Sequence, residues 1–412
     1  FVGENNSVEN GGLATYSVDY YELGKLTAKQ AVRILEDGES PANMPIEYLS
    51  ENKLYINMDL AKQLGIEIPA DLAEKAIDVK SNRLLRIREV TMGTLLALEG
   101  AVAQGLLYAI MTLGVYITYK LLDFADLTVD GSFALGGCVS AILITVGLDP
   151  FTSLLIATLA GMASGVITGF FNTVFKIPPI LSGILTMLAL YSINLRVMLG
   201  KANVPLGQDE TIFTIIQKWI PIQTDLLVIL IGLVIVILVI AFMYWFFGTE
   251  VGSAIRATGN NPDMIRALGV NTSWMKIIAL LFSNGLVALS GALITQYQQN
   301  ASVTNGTGMI VVGLASVIIG EVIFGNRFNF IYKLSSVVIG SLIYRIVVAL
   351  VLQVGLDTQD LKLFTAVFVA LALAVPVFKQ RIQRLSNRTG KPKKQQDSNE
   401  SEQGGAPNDS TQ

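Results

Sequence analysis

IIALLFSNGLVALSGALITQYQQNASVTNGTGMIVVGLASVIIG, residues 277–320, runs for 44 positions without an Asp, Glu, Lys or Arg. A bilayer core about 30 Å thick takes roughly 20 apolar helical residues, so this run is twice the length of one span. The polar stretch 296–308 divides it, which predicts two membrane segments joined by a short connection. Further charge-free apolar runs lie at 100–119, 131–148, 150–175, 177–195, 226–249 and 363–378. Two runs of 11 residues, 334–344 and 346–356, flank Arg345 and read together as one span. Residues 93–378 therefore read as a polytopic bundle of about nine spans, mostly α, some of them broken or re-entrant.

Composition agrees. Of 412 residues, 52% are hydrophobic and only 15% charged, against about 25% charged in an ordinary soluble protein. Mean hydropathy is +0.56. With 29 basic and 32 acidic residues the net charge is −3, so nothing points to a nucleic-acid partner; the partner is the lipid bilayer. There is no histidine, which excludes His-based metal sites and His-based triads. The single Cys138 excludes an internal disulfide and any paired-cysteine site. No metal site is expected.

The charged residues collect at the ends. Residues 1–92 carry ten of the 29 Lys and Arg and read as a soluble segment, 1–79, followed by a linker, 80–92. Residues 379–412 are a polar tail that buries no core and is expected to be disordered. Placing the 248–276 loop in the cytoplasm puts 14 basic residues inside, among them Lys120, Lys176, Arg256, Arg266, Lys276, Arg327 and Lys333. Four, Arg196, Lys201, Lys218 and Lys362, then lie outside. By the positive-inside rule the C-terminus is cytoplasmic and residues 1–79 are extracytoplasmic. Lys80, Arg83, Arg86 and Arg88 run against the rule, which a folded exported domain overrides.

Within residues 1–79, a strand is expected over 13–19, entered through Gly11-Gly12, and a helix over 20–36 with Leu23, Ala31, Ile34 and Leu35 on one face. Short strands are expected at 46–49 and 54–57, and a helix at 58–64 closed by Gly65. The segment begins at Phe1 with no initiator Met, signal peptide or leading span, and reads as the C-terminal end of a longer exported domain.

The 248–276 loop, GTEVGSAIRATGNNPDMIRALGVNTSWMK, has the most local chemistry. Asn261 is an N-cap, Pro262 a first helical residue with preset φ, and Asp263 complements the helix dipole. Gly269 supplies the left-handed position after the last turn. A two-turn helix over 262–268 follows, expected to expose Met264, Ile265 and Leu268 beside Arg266 and Ala267. It reads either as a docking helix for a partner's groove or as an ordinary interfacial loop helix.

Several stretches resemble one family. RATGNNPDMIRALGVN (256–271), LLDFADLTVDGSFALGG (121–137), KIPPILSGILTMLALYSINLR (176–196) and GMIVVGLASVIIGEVIFG (308–325) are similar to permeases of bacterial ABC importers of the branched-chain amino acid and ribose type. Among these they stand nearest the branch associated with tryptophan and tyrosine. GGLATYSVDYYELGKLTAKQAVRILEDGESPANMP (11–45) and INMDLAKQLGIEIP (56–69) resemble the closing segment of type I substrate-binding proteins of such importers. The resemblance implies a type II importer-like fold, a second permease subunit, a small solute (an aromatic or branched-chain amino acid) and a coupling role for 261–269. It implies a separate ATPase carrying ATP and Mg; no GxxxxGK[ST] occurs in this chain. It also implies that this subunit binds no cofactor and is not an enzyme, and that it sits in a bacterial plasma membrane. Glu4, Asn5 and Asn6 are candidates for the ligand cleft, or else ordinary turn residues.

Other candidates come from polarity inside the spans. Glu321 and Arg345 are expected to pair within the bundle, as intramembrane charges do, with a fold-holding duty weighed above a solute contact. Asp123, Asp126 and Asp130, beside Thr128 and Ser132, form either a polar break lining the path or caps of helix ends. Asp130, Ser132, Ser192, Asn194, Ser283 and Asn284 are candidate contacts along a translocation path. Gly161, Ala163, Ser164, Gly165 and Gly169 are read as close-packing positions. A gradient-driven secondary transporter or channel without an ATPase is the alternative function.

Overall fold

The computed structural model describes residues 8, 12–18, 20–36, 39–41, 44, 47, 52–78, 83–207, 209–220, 222–324, 329–353, 363, 366, 367 and 370. Two compact units divide the chain, Phe1–Leu95 and Leu96–Gln412.

The first unit has a three-stranded sheet in the order β1–β2–β3. Strand β1 (Ala14–Ser17) runs antiparallel to β2 (Lys53–Ile56), with Ala14 opposite Ile56. Strand β3 (Ile77–Asp78) is parallel to β2, with Tyr55 opposite Ile77. Helix α1 (Tyr20–Leu35) connects the first two strands, with Glu22 in its first turn and Arg33 in its last, matching the helix dipole. Arg33 donates to Glu39 at 2.6 Å and to Glu47 at 2.9 Å; the bond from Arg33 holds the Glu39 carboxyl below its ordinary range. Helix α2 (Met58–Gln63) is capped by Asn57, whose Oδ1 accepts from the Leu60 N–H at 2.9 Å. Gly65 follows at φ +66, the left-handed position a helix end favours. Helix α3 (Ala70–Lys75) and β3 were not expected. The expected strand at 46–49, the Gly11 turn and Glu4, Asn5 and Asn6 lie outside the described residues, apart from Glu47.

The second unit is helical. Helix α4 (Arg83–Tyr116), whose first residues belong to the first unit, passes directly into a π-helical turn, Ile117–Leu121. Then follow α5 (Thr128–Thr145), α6 (Pro150–Thr173), α7 (Pro179–Val197), strand β4 (Asn203–Pro205), α8 (Ile212–Trp219) and α9 (Thr224–Gly248). Two loop helices, α10 (Glu250–Asn260) and α11 (Pro262–Ala267), lead to α12 (Thr272–Gln298). Strand β5 (Asn300–Ser302), antiparallel to β4, precedes α13 (Met309–Phe324) and α14 (Phe330–Gln353). Seven helices are long and apolar enough to cross a membrane, and α13 is a shorter apolar helix. These correspond to the first eight expected spans; the ninth, 363–378, lies almost wholly outside the described residues.

Small residues explain how this bundle closes. Gly161, Gly165 and Gly169 recur every four positions on one face of α6, and α12 lies against them. A Cβ on Gly165 would sit 2.2 Å from the Leu280 carbonyl oxygen, and one on Gly161 would sit 2.6 Å from that of Asn284. Gly136 of α5 meets the Ala288 carbonyl oxygen as closely, at 2.0 Å for a Cβ. Backbones this near allow dispersion contacts and interhelical hydrogen bonds to replace the hydrophobic drive that lipid removes. Helix α12 is accordingly deeply packed, with Ala279, Leu280, Val287, Ala288 and Leu293 fully enclosed. By contrast α9, the most apolar span, turns Leu230, Val234, Ile237 and Leu238 outward, as a lipid-facing helix does.

Candidate polar girdle and loop-helix site

Asn284 lies 12 residues along α12 from Thr272, about 18 Å at 1.5 Å per residue, near the middle of the span. Around it a buried polar girdle joins four helices. Asn284 Nδ2 donates to Asp126 Oδ2 at 2.8 Å, and its Oδ1 accepts from Ser132 Oγ at 2.7 Å. Ser132 Oγ lies 2.7 Å from Ser164 Oγ. Thr128 Oγ1 lies 2.7 Å from Thr168 Oγ1, which donates to Thr186 Oγ1 at 2.9 Å. Asp126, Thr128, Ser132, Ser164, Thr168, Thr186 and Asn284 are all buried. Hydroxyls and an amide in apolar surroundings must be bonded or cost free energy; here each finds a partner.

Asp126 thus belongs to the girdle, and it also caps α5 by accepting the Thr128 N–H at Oδ1, 2.9 Å. Asp130 caps a different helix. Its Oδ2 and Oδ1 accept the Gly308 and Ile310 N–H groups, each at 2.8 Å, placing a carboxylate at the positive end of α13. At 16 residues, α13 is about 24 Å long, short of a bilayer core. Helices α5 and α13 therefore both begin beside the Asp126–Asp130 segment, and the short α13 resembles the broken helices that transporters use. Asp123 is exposed and left-handed, φ +52.

The remaining candidates separate. Asn194 is buried and donates through Nδ2 to the Gly131 carbonyl at 3.3 Å, next to the girdle. Ser192 is exposed on α7, two positions away on the helix and therefore on another face. Ser283 donates to the Gly114 carbonyl at 2.8 Å, a bond that fastens α12 to α4. A second buried cluster, not expected from the sequence, centres on Gln296, which donates to Ser140 Oγ at 3.1 Å and accepts the Ile212 N–H at 3.0 Å.

The expected Glu321–Arg345 pair is corrected. Glu321 bonds to Lys120, Nζ to Oε1 2.9 Å. The Arg345 guanidinium instead lies 3.6 Å from the centroid of the Tyr108 ring. The two charges stand at different levels of their helices: Arg345 faces Gly105 of α4, and Glu321 faces the turn where α4 ends.

The loop helix α11 has the expected caps. Asn261 Oδ1 accepts the Met264 N–H at 3.0 Å, Pro262 is the first helical residue and Gly269 has φ +85. Met264 and Leu268, one turn apart, are 58% and 68% exposed. Ile265 does not join them. It is 7% exposed, a correction that follows from the helical period, because 265 lies about 100° around the axis from 264. Arg266 is held by Thr272 Oγ1 at 3.0 Å and Asp263 Oδ1 at 3.4 Å. Helix α10, missed from the sequence, is signalled only by Thr249 ahead of Glu250; the Thr249 side chain accepts the Gly252 N–H.

A helical bundle with buried polar contacts at mid-span and a short apolar helix among full-length spans is that of a multi-pass membrane transport protein. The family model described as branched-chain amino acid transport system / permease component matches residues 97–376, and the chain belongs to that family. Residues 1–80 match the family of ABC transporter substrate binding proteins, so a binding-protein-like segment precedes the permease part in one chain. The chain is 40% identical to the tyrosine transport system permease protein of Clostridioides difficile over 271 residues, 66% of this chain and 88% of that protein. It is 27% identical to the fructose import permease protein FruG of Bifidobacterium longum, over 62% of this chain and 74% of that one. Identity to the ribose import permease protein RbsC of Escherichia coli K12 is 25%, over 52% and 65%. No solved structure gives a significant match.

Proposed function

We propose that this chain is the membrane subunit of an importer in the plasma membrane, powered by ATP and Mg held on a separate ATPase, with α11 as the helix that docks into it. The observation that carries this reading is a short, doubly capped helix between two full-length spans, offering Met264 and Leu268 to solvent. In this orientation the 248–276 loop and the C-terminus face the cytoplasm, and the binding-protein-like segment faces outward, where solute is captured. Pairing with a second copy is part of this proposal and is supported by the family resemblance alone. The domain division 1–79, 80–92, 93–378 and 379–412 is part of the same proposal.

The solute class we favour is an amino acid of the aromatic kind. The relative named for tyrosine stands at 40% identity, well above the sugar permeases at 27% and 25%. Solute contacts are assigned to Ser132 and Asn284 of the girdle and to Asp130 and Asn194 beside it, which offer transient hydrogen bonds and not a tight site. A gradient-driven carrier is the second reading, favoured by Asp126, a fully buried carboxylate with no basic partner among the described residues.

One experiment separates these. The full chain, co-reconstituted with the candidate ATPase in proteoliposomes, is offered labelled L-tyrosine, L-tryptophan, L-leucine, D-ribose and D-fructose, with or without ATP. Tyrosine or tryptophan uptake that requires ATP is expected. Uptake of sugar alone overturns the solute assignment, and uptake driven by an ion gradient without ATP overturns the ATPase reading.

A further inference from the structure

Helix α10 ends where α11 begins. Asn261 donates its N–H to the Ala257 carbonyl at 3.0 Å and caps α11 with its side chain, so the two helices share this one residue as their joint. Two residues before that joint, Gly259 presses on the π-helical turn. A Cβ on Gly259 would stand 2.1 Å from the Leu121 carbonyl oxygen. π-helical turns are rare and concentrate at functional sites. Here the turn is closed by wide bonds, Leu122 N–H to the Ile117 carbonyl at 3.0 Å and Phe124 N–H to that of Thr118 at 2.9 Å.

The same turn is gripped from another side by the Lys120–Glu321 pair, which fastens it to α13. Five residues beyond Leu121 the chain reaches Asp126, bonded to Asn284 at mid-span. In between, Asp123 takes a left-handed backbone, so this stretch is neither helix nor free loop. A displacement of α10 must therefore either open the Gly259–Leu121 contact or drag the turn with it, and Asp126 is tied to the far end of the same segment.

We infer that the π-helical turn Ile117–Leu121 is the transmission element of this permease: motion of α10 and α11 reaches the Asp126–Asn284 girdle through Gly259 and Leu121, with Lys120–Glu321 keeping the turn in register with α13. The inference rests on the docking reading of α11. Gly259, Lys120 and Glu321 act as positioning residues. Coupling requires that both ends respond together, and the test reads motion at each end separately.

Hydrogen–deuterium exchange is followed on the full chain assembled with the ATPase in nanodiscs, with and without ATP and vanadate, in peptides covering 250–268 and 117–127. In the unaltered chain both regions change exchange on trapping. Gly259→Ala, which raises helix propensity while colliding with Leu121, keeps the response at 250–268 and loses it at 117–127. Lys120→Glu also loses it at 117–127, and Lys120→Glu with Glu321→Lys restores it; that swap decides the matter where Gly259→Ala fails to assemble. A response at 250–268 without one at 117–127 in the unaltered chain overturns the inference and leaves the docking reading standing. So does a 117–127 response that survives either single substitution. Absence of any response at 250–268 removes the docking reading itself, and the inference with it.

Discussion

Asp126 accepts one hydrogen bond per carboxylate oxygen, from Thr128 N–H and Asn284 Nδ2. Truncating it strands both donors in a dry interior, at about 1–3 kcal/mol for each group left unpaired. Asp126→Ala is expected to lower the thermal unfolding midpoint in detergent strongly, and Asp126→Asn, which keeps an acceptor oxygen, by much less; equal midpoints for the two contradict the girdle. A double-mutant cycle separates the charges. Lys120→Met and Glu321→Gln should be coupled, whereas Glu321→Gln and Arg345→Met should add within about 0.3–0.5 kcal/mol, as sites without shared contacts do. The sequence puts Asp123, Asp126 and Asp130 at helical spacing, but Asp123 is left-handed and the chain between Leu121 and Thr128 is not helical. That spacing was therefore no guide to which acid turns inward. Nor was the Lys120–Glu321 contact legible, because it joins positions 201 residues apart in the sequence.

Elements formed by neighbouring residues were the readable ones. Asn261, Pro262 and Gly269 act on backbone groups within a turn of themselves, so the caps of α11 followed from the string of letters. Asn261→Ala should cost about 1 kcal/mol of local stability, seen as faster amide exchange confined to 262–268; unchanged exchange there contradicts the cap. The small residues of α6 were also visible in the sequence, but their partner was not. Gly165→Ala should destabilise the bundle by about 1–3 kcal/mol, the usual range for overpacking, since its Cβ meets the Leu280 carbonyl oxygen. Gly248→Ala, with nothing within 4 Å of its Cβ, is the control and should leave the unfolding midpoint in place. Comparable losses at both positions contradict the α6–α12 packing. The π-helical turn left no trace in the sequence, since apolar residues of a span look alike whether their bonds close at four residues or five.

At the scale of the molecule, length and apolarity made the spans countable, because a bilayer imposes both on any helix that crosses it. The order in which the spans pack was not countable, because most of their surfaces are equally apolar and the choice falls to glycine spacing and a few hydroxyls. Two helix starts meeting at Asp130, a polar girdle at mid-span and a capped loop helix between α10 and α12 are the three features on which the proposed coupling rests. The most direct measurement of that account is ATP-driven L-tyrosine uptake, together with ATPase retention on the reconstituted full chain, after Met264→Asp and Leu268→Asp. These exposed residues contribute little to the fold, so the variant should insert and melt as the unaltered chain does while losing both retention and uptake. Full retention of the ATPase with undiminished ATP-driven uptake would show that α11 is an ordinary surface helix and that the input lies elsewhere.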